Sequence, residues 1–188
     1  MLGSQRFKMF SYNSNTKILS GIEIPPFYHQ NMTIGQVICH YLQREPGKIV
    51  QSCYDDGVDL TASEMAKLAS RIAKNLEREG FKFGDVVGLV VKNTTYVAPV
   101  VLGCLLLGCP ISTLDPTFEV AEVFNIFNQT HPKVVFCDHD NFETVTEALK
   151  RCDNQSEIVT IDKKLPGEWA FRNLNFYEFL ICRCSFRH

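Results

Sequence analysis

The stretch from Leu60 to Pro116 switches between helical and strand periodicity in a fixed order, and that order limits the possible folds more than any other feature. Thr61-Ala-Ser-Glu64 is a capping box, with Leu60 and Met65 at the staple positions on either side. Met65, Ala69, Ile72 and Leu76 then recur at helical spacing, and Gly80 stands where a helix stops. Lys67, Arg71, Lys74, Glu77 and Arg78 fall on the opposite side. Val86 to Val91 is apolar throughout, which predicts a strand covered on both faces. A helix follows over Thr95 to Leu107, with Pro99 near its first turn, and then a strand over Ile111 to Leu114 closed by Asp115-Pro116. The same beat continues with a helix from about Glu119 to Asn128, ended before His131-Pro132. Next come a strand over Lys133 to Cys137, a helix over Phe142 to Arg151 and a strand over Ile158 to Ile161. Strand–helix–strand repetition with short links predicts an α/β fold, a parallel sheet in βαβ layers with right-handed crossovers.

Upstream of this core, residues 1–30 read as a polar, irregular segment closed by Pro25-Pro26. Thr33 and Gln36 form a second capping box, for a helix with Val37, Ile38, Tyr41 and Leu42 as its apolar stripe and Pro46-Gly47 beyond its end. Ile49 to Tyr54 reads as a strand, and Asp55-Asp56-Gly57 as the turn of a hairpin into Val58-Asp59-Leu60. Past Lys163 the character changes. Asn173 to Leu180 reads as a short helix, and Ile181-Cys-Arg-Cys-Ser-Phe-Arg-His188 as a tail unrelated to what precedes it.

The formal net charge of −2 offers no general attraction to nucleic acid or to an anionic membrane, and no Lys/Arg cluster with interleaved aromatics is present. The first 25 residues are broken by Gln5, Arg6, Lys8, Asn13, Asn15 and Lys17, so no signal-peptide core is expected. Tyr96 to Ile111 is the longest apolar run, interrupted by Pro99, Gly103, Gly108 and Pro110. It predicts a buried core helix and no transmembrane segment. With no secretory signal, Cys39, Cys53, Cys104, Cys109, Cys137, Cys152, Cys182 and Cys184 read as reduced thiols in a cytoplasmic protein.

Chemistry-bearing motifs are sparse. A phosphate cradle needs several glycines ahead of a helix. Gly80-Phe-Lys-Phe-Gly84 and Gly103-x4-Gly108 are the nearest stretches. Neither has the Lys-Ser/Thr of a P-loop. Gly80 and Gly108 read as helix stops, Gly84-Asp85 as a turn, and Gly103 as a close helix contact. Cys137-Asp138-His139-Asp140 gathers possible metal ligands past a strand end, and Cys182-x-Cys184 adds two soft ones, but neither has zinc spacing. The plain reading is a buried Cys137 followed by a solvated loop. Ser112 lies within a strand, and no Gly-x-Ser-x-Gly elbow occurs. His40 belongs to the first helix, and His131 precedes Pro132. Asp115-Pro116 sits at a strand's C-terminal end, where open α/β sheets bind ligands. Capping of the following turn by Asp115, with Pro116 fixing φ, suffices to account for it.

Several stretches resemble the adenylate-forming enzymes, the superfamily of acyl-CoA synthetases, 4-coumarate–CoA ligases and beetle luciferases. They are Thr61-Ala-Ser-Glu-Met65, Gly84-Asp-Val-Val-Gly88, Leu106-Leu-Gly-Cys-Pro-Ile-Ser-Thr-Leu-Asp-Pro116 with Thr117-Phe118-Glu119, His131-Pro132-Lys133-Val-Val-Phe136 and Asn175-Phe-Tyr-Glu-Phe-Leu180. Leu107, where Ala is common, and Cys109 depart from the pattern. The resemblance covers roughly Thr33 to Leu180. It implies a partial AMP-binding domain over 31–180, an incomplete N-terminal subdomain of the adenylate-forming fold. Family members activate a carboxylic acid with ATP and Mg2+ to an acyl-adenylate, then pass it to coenzyme A. The phosphate loop, the acid pocket, the adenine motif and the C-terminal-domain lysine have no match here. No catalytic, cofactor-binding or metal residue is therefore carried over, and the chain is expected to be inactive alone, as a truncated or alternatively spliced product or a partial gene model. The alternative is a non-catalytic module pairing with a full-length relative, or with itself, through exposed apolar surface. An unrelated small nucleotide-binding α/β protein is the third reading. Family members are often peroxisomal through a Ser-Lys-Leu type terminus, whereas Phe-Arg-His ends this chain.

Overall fold

The computed structural model describes residues 10–21, 25–161 and 174–175. The chain divides into two units, Met1–Met32 and Thr33–His188.

In the first unit, β1 (Phe10–Asn13) and β2 (Ile18–Gly21) form an antiparallel hairpin, with Phe10 opposite Gly21 and Asn13 opposite Ile18. This corrects the expectation of an irregular segment. The turn is made by the Asn13 side chain, whose Oδ1 accepts from the backbone N–H groups of Asn15 (3.0 Å) and Thr16 (3.2 Å). Lys17 takes a left-handed φ of 60° to bring the chain back. Asparagine is one of the few side chains that stabilises such a turn locally. Phe10, Tyr12, Ile18 and Leu19 are all exposed, so no buried stripe marks these strands in the sequence.

The second unit opens with α1 (Ile34–Leu42), capped by Thr33 and Gln36 as the sequence requires. Its apolar stripe buries only in part: Val37 and Leu42 are half-buried, with Leu42 packed against the cluster of Leu60, Met65, Ala69 and Leu102. Gly35 is the buried position, while Ile34, Ile38 and Tyr41 stay exposed. The reason is proximity of backbones. A Cβ on Gly35 would lie 2.3 Å from the Leu106 nitrogen, so the helix makes its closest approach at its smallest residue. β3 (Ile49–Cys53) and β4 (Val58–Thr61) form the expected hairpin, turned at Gly57 with a φ of 63°.

α2 (Ala62–Arg78) carries the predicted box, with the Thr61 hydroxyl accepting from the Glu64 N–H and Glu64 returning to the Thr61 N–H. Met65, Ala69, Ile72 and Leu76 are all buried. The helix ends in a Schellman pair. Gly80, at φ 81°, donates to the Glu77 carbonyl, and Phe81 donates to that of Leu76. α3 (Val97–Leu107) ends the same way, with Gly108 at φ 73° and Cys109 donating to Cys104. Gly103 lets α2 and α3 touch closely, since a Cβ there would meet Ile72 at 2.7 Å. Among the described residues no helix is long and apolar enough to cross a membrane.

The strands β5 (Val87–Val90), β6 (Ile111–Leu114), β7 (Val134–Cys137), β8 (Glu157–Thr160) and β9 (Leu174–Asn175) form one parallel sheet in the order β6-β5-β7-β8-β9. β9 corrects the expected helix at its two described residues, Leu174 and Asn175; the rest of that stretch and the 181–188 tail lie outside the described residues. The two faces of β5 explain its unbroken hydrophobicity. Val87 and Leu89 pack into one core with Ile72, Leu76, Val100 and Cys104. Val90 packs into the other, with Val123 and Phe127 of α4 (Val120–Thr130) and Val145 and Leu149 of α5 (Phe142–Arg151). Chain direction across the sheet reverses after β6, and the crossover helices change face at the same point. A single hand of βαβ connection requires that coupling.

Candidate functional site

The reversal places a switch point between β5 and β7. At the C-terminal ends of those strands an open α/β sheet offers its ligand crevice. Here the protein's own side chains occupy that edge. Asp138, directly after β7, is buried. Its Oδ2 accepts from the Lys92 N–H at 3.1 Å, just past β5. Its Oδ1 accepts from the Asn141 N–H at 3.1 Å and from Asn141 Nδ2 at 2.7 Å. Asp138 thereby caps a short 3-10 turn over His139–Asn141 and ties the two central loops together. Lys92 Nζ reaches Asp140 at 2.7 Å from outside. The expected solvated loop after Cys137 is therefore half corrected: Asp140 is exposed, but Asp138 is an interior crosslink. Cys137 is buried as expected.

One strand over, Asp115 accepts from the Thr117 N–H at 2.8 Å and from its hydroxyl at 2.7 Å. The hydroxyl first, and then the amide, hold the Asp115 carboxyl below the usual carboxylate range. This is the turn-capping role that Asp-Pro suggests. In the loop that follows β5, Thr95 donates to Asp56 of the β3–β4 turn, from its hydroxyl at 2.5 Å and its N–H at 2.7 Å. Those two bonds, with a smaller one from Cys53, depress the Asp56 carboxyl. Thr95 is buried, so this contact fixes the hairpin to the loop that begins α3.

The described glycines supply no phosphate cradle. A Cβ on Gly88 would run into Val135 and Phe127, and one on Gly103 into Ile72, so both lie inside packed cores. Gly57, Gly80 and Gly84 take positive φ in turns facing open space. Among the described residues, no group of three His, Cys, Asp or Glu could hold a metal ion. At the opposite edge of the sheet, Asp85 accepts from the Lys82 N–H at 2.8 Å and pairs with Lys133 at 2.7 Å. The Lys133 bond is the main cause of its lowered pKa. Cys104 has its thiol pushed up to about 12 by burial, with Cys109 nearby adding to the shift.

This architecture defines a doubly wound α/β protein, with five parallel strands and helices on both faces. Residues 39–175 match the family described as AMP-binding enzyme, and the chain belongs to that family. It is 23% identical over 143 residues to luciferin 4-monooxygenase of Photinus pyralis, covering 74% of this chain and 26% of that protein. Against the probable 4-coumarate–CoA ligase 1 of Dictyostelium discoideum it is 22% identical, covering 69% of this chain and 24% of the relative. Among solved structures, the luciferase-like enzyme from the nonluminescent Zophobas morio mealworm superposes with a TM-score of 0.74 at 21% identity. That match covers 87% of this chain and 37% of the other. The chain thus spans about a quarter of the length of these two curated relatives.

Proposed function

We propose that this chain is the N-terminal scaffold segment of an enzyme that activates a carboxylic acid with ATP and transfers it to coenzyme A, and that the 188 residues alone do not catalyse adenylation. The family match over 39–175 supports the reaction class. The observation that carries the second half is the crosslinked edge of the sheet. Asp138 commits both carboxylate oxygens to the chain's own amides, and Asp115 and Asp56 each commit one oxygen to a threonine hydroxyl and amide. The described glycines form no cradle for triphosphate, and no group of three described His, Cys, Asp or Glu could hold a metal ion. The contribution of this segment is to hold the strand ends of the sheet in register for groups supplied by other parts of the fold. Acid-dependent ATP–pyrophosphate exchange tests it: the purified 188-residue chain is expected to give no exchange above background with a panel of aliphatic and aromatic acids. Clear exchange overturns the proposal.

A second reading, a non-catalytic module that pairs with a longer relative, is favoured by the exposed Ile34 and Tyr41 on α1. Mixing the chain with a full-length family member and following that enzyme's rate and elution volume tests it. Two unchanged values would dismiss it.

A further inference from the structure

Positive charge and exposed apolar surface occur together in the first unit. Residues 1–22 hold Arg6, Lys8 and Lys17 and no Asp or Glu, a balance of +3. The whole chain stands at −2, which leaves −5 for residues 23–188. The pairing of β1 with β2 sorts the hairpin's side chains by face. Phe10 lies opposite Gly21 and Tyr12 opposite Leu19, so Phe10, Tyr12 and Leu19 share one side. Ser11 opposite Ser20, and Asn13 opposite Ile18, make the other. Phe10, Tyr12 and Leu19 are 64%, 59% and 64% exposed, and every other residue of the two strands is exposed as well.

We infer that this hairpin is a peripheral anchor for an anionic lipid surface, with Phe10, Tyr12 and Leu19 seated in the headgroup boundary and the basic residues meeting lipid phosphates and carboxylates. A two-stranded hairpin alone is marginal in water, and a lipid boundary supplies the burial that its apolar face lacks. Tyrosine suits that depth, because its ring is apolar while its hydroxyl stays wet. The seat is shallow. Both outer edges of the hairpin carry unpaired backbone groups that need water, which the hydrocarbon interior does not provide. A lipid surface feels charge within about a Debye length, ~8 Å at physiological salt, so the local balance governs and not the chain's total. Lys17 stands exposed in the turn between the strands, within the same segment. Single-stranded nucleic acid fits less well. Aromatic stacking platforms stand on a wider sheet, whereas Ser11, Asn13 and Ser20 on the back of this hairpin are exposed.

Flotation of the full chain with vesicles on a density gradient tests this, and leaves any aggregate of the chain behind. Vesicles of phosphatidylcholine with about 30% phosphatidylserine should bind about a hundredfold more tightly than phosphatidylcholine alone, at about fivefold for each of three cations. Raising the salt from about 0.1 to about 0.5 M should remove most of that difference. Leu19→Ser should weaken binding to the anionic vesicles about tenfold. Ile18→Ser, one residue away on the other face, should change it by less than about twofold. Lys17→Gln should cost about fivefold. Equal flotation with the two kinds of vesicle overturns the inference, and that comparison uses the unaltered chain, so it does not depend on any variant folding. Equal losses from Leu19→Ser and Ile18→Ser also overturn it, because the faces would then not differ. Binding of a labelled oligouridine that Tyr12→Ser abolishes, with no binding to vesicles, overturns it too and reassigns the hairpin to single-stranded nucleic acid.

Discussion

Replacing Gly103 by Ala separates close helix packing from helix propensity, because the two effects have opposite signs. Gly103 lies within α3, and in an uncrowded helix interior Ala is better than Gly by roughly 1 kcal/mol. Here the added Cβ would stand 2.7 Å from Ile72 Cγ2, 2.8 Å from Ile72 Cβ and 3.0 Å from the Ala69 carbonyl oxygen. Two of those contacts involve atoms that no rotamer change can move, so α2 and α3 must separate. Overpacking of this kind costs about 1–3 kcal/mol. Because Ile72, Val100 and Cys104 share one core, the shift propagates to the sheet and the upper part of that range applies. The net expectation is a loss of about 1–2 kcal/mol, a drop in Tm of about 2–8 °C for a unit of this size. Urea denaturation followed by circular dichroism reads it directly. The double variant with Ile72→Ala supplies the internal check. Ile72 is fully buried, so truncating it alone costs about 2–5 kcal/mol, yet it removes the atom nearest the new methyl. The two losses must then sum to more than the double variant's loss, with a coupling of at least about 0.5 kcal/mol. A Gly103→Ala chain that is more stable than its parent would refute the packing argument.

Further expectations follow from the caps, the ion pairs and the thiols. Thr61→Ala should cost about 1 kcal/mol by uncapping α2, measured by the same denaturation, whereas Gly47→Ala, with open space around its Cβ, should be neutral or slightly stabilising. The Asp85 carboxyl is depressed by Lys133 and the Lys82 amide, so its contribution is present above the ordinary carboxylate pKa and lost as pH falls through the lowered one. Asp85→Asn should therefore flatten the acid limb of the stability–pH curve below about pH 4; an unchanged limb would count against the pairing. Cys104, buried and with its thiol at about 12, should escape iodoacetamide in the native chain at about pH 8 and react only after denaturation, as read by peptide mass spectrometry.

How much of this was legible in the sequence depended on whether the determining contact was local. The two capping boxes, the glycine stops at Gly80 and Gly108, and the apolar block Val87–Val90 encode their geometry within a few residues, and each lies where the pattern puts it. The Asp115 turn is local too, and Asp-Pro-Thr announces it. The β1–β2 hairpin is not legible because its strands bury nothing, leaving the Asn13 turn as its cue. The buried face of α1 is only half legible, because its closest contact is made at Gly35, which no hydrophobicity count registers. The Asp138 crosslink was half visible. Asp138-x-x-Asn141 ahead of Phe142 has the spacing of a cap, but the bond to the Lys92 amide joins residues 46 apart. The Asp56–Thr95 contact spans 39 positions and leaves no local trace at all.

The strand order has a consequence for how the molecule is made. β5, first of the sheet to leave the ribosome, sits inside it, with β6 on one flank and β7 on the other. Each later strand therefore finds a hydrogen-bonding edge already in place: β6 and β7 on β5, β8 on β7, β9 on β8. None has to insert between two existing strands. Assembly can keep pace with synthesis, and after β6 it advances toward one flank only, so the youngest strand is always the one at the growing margin.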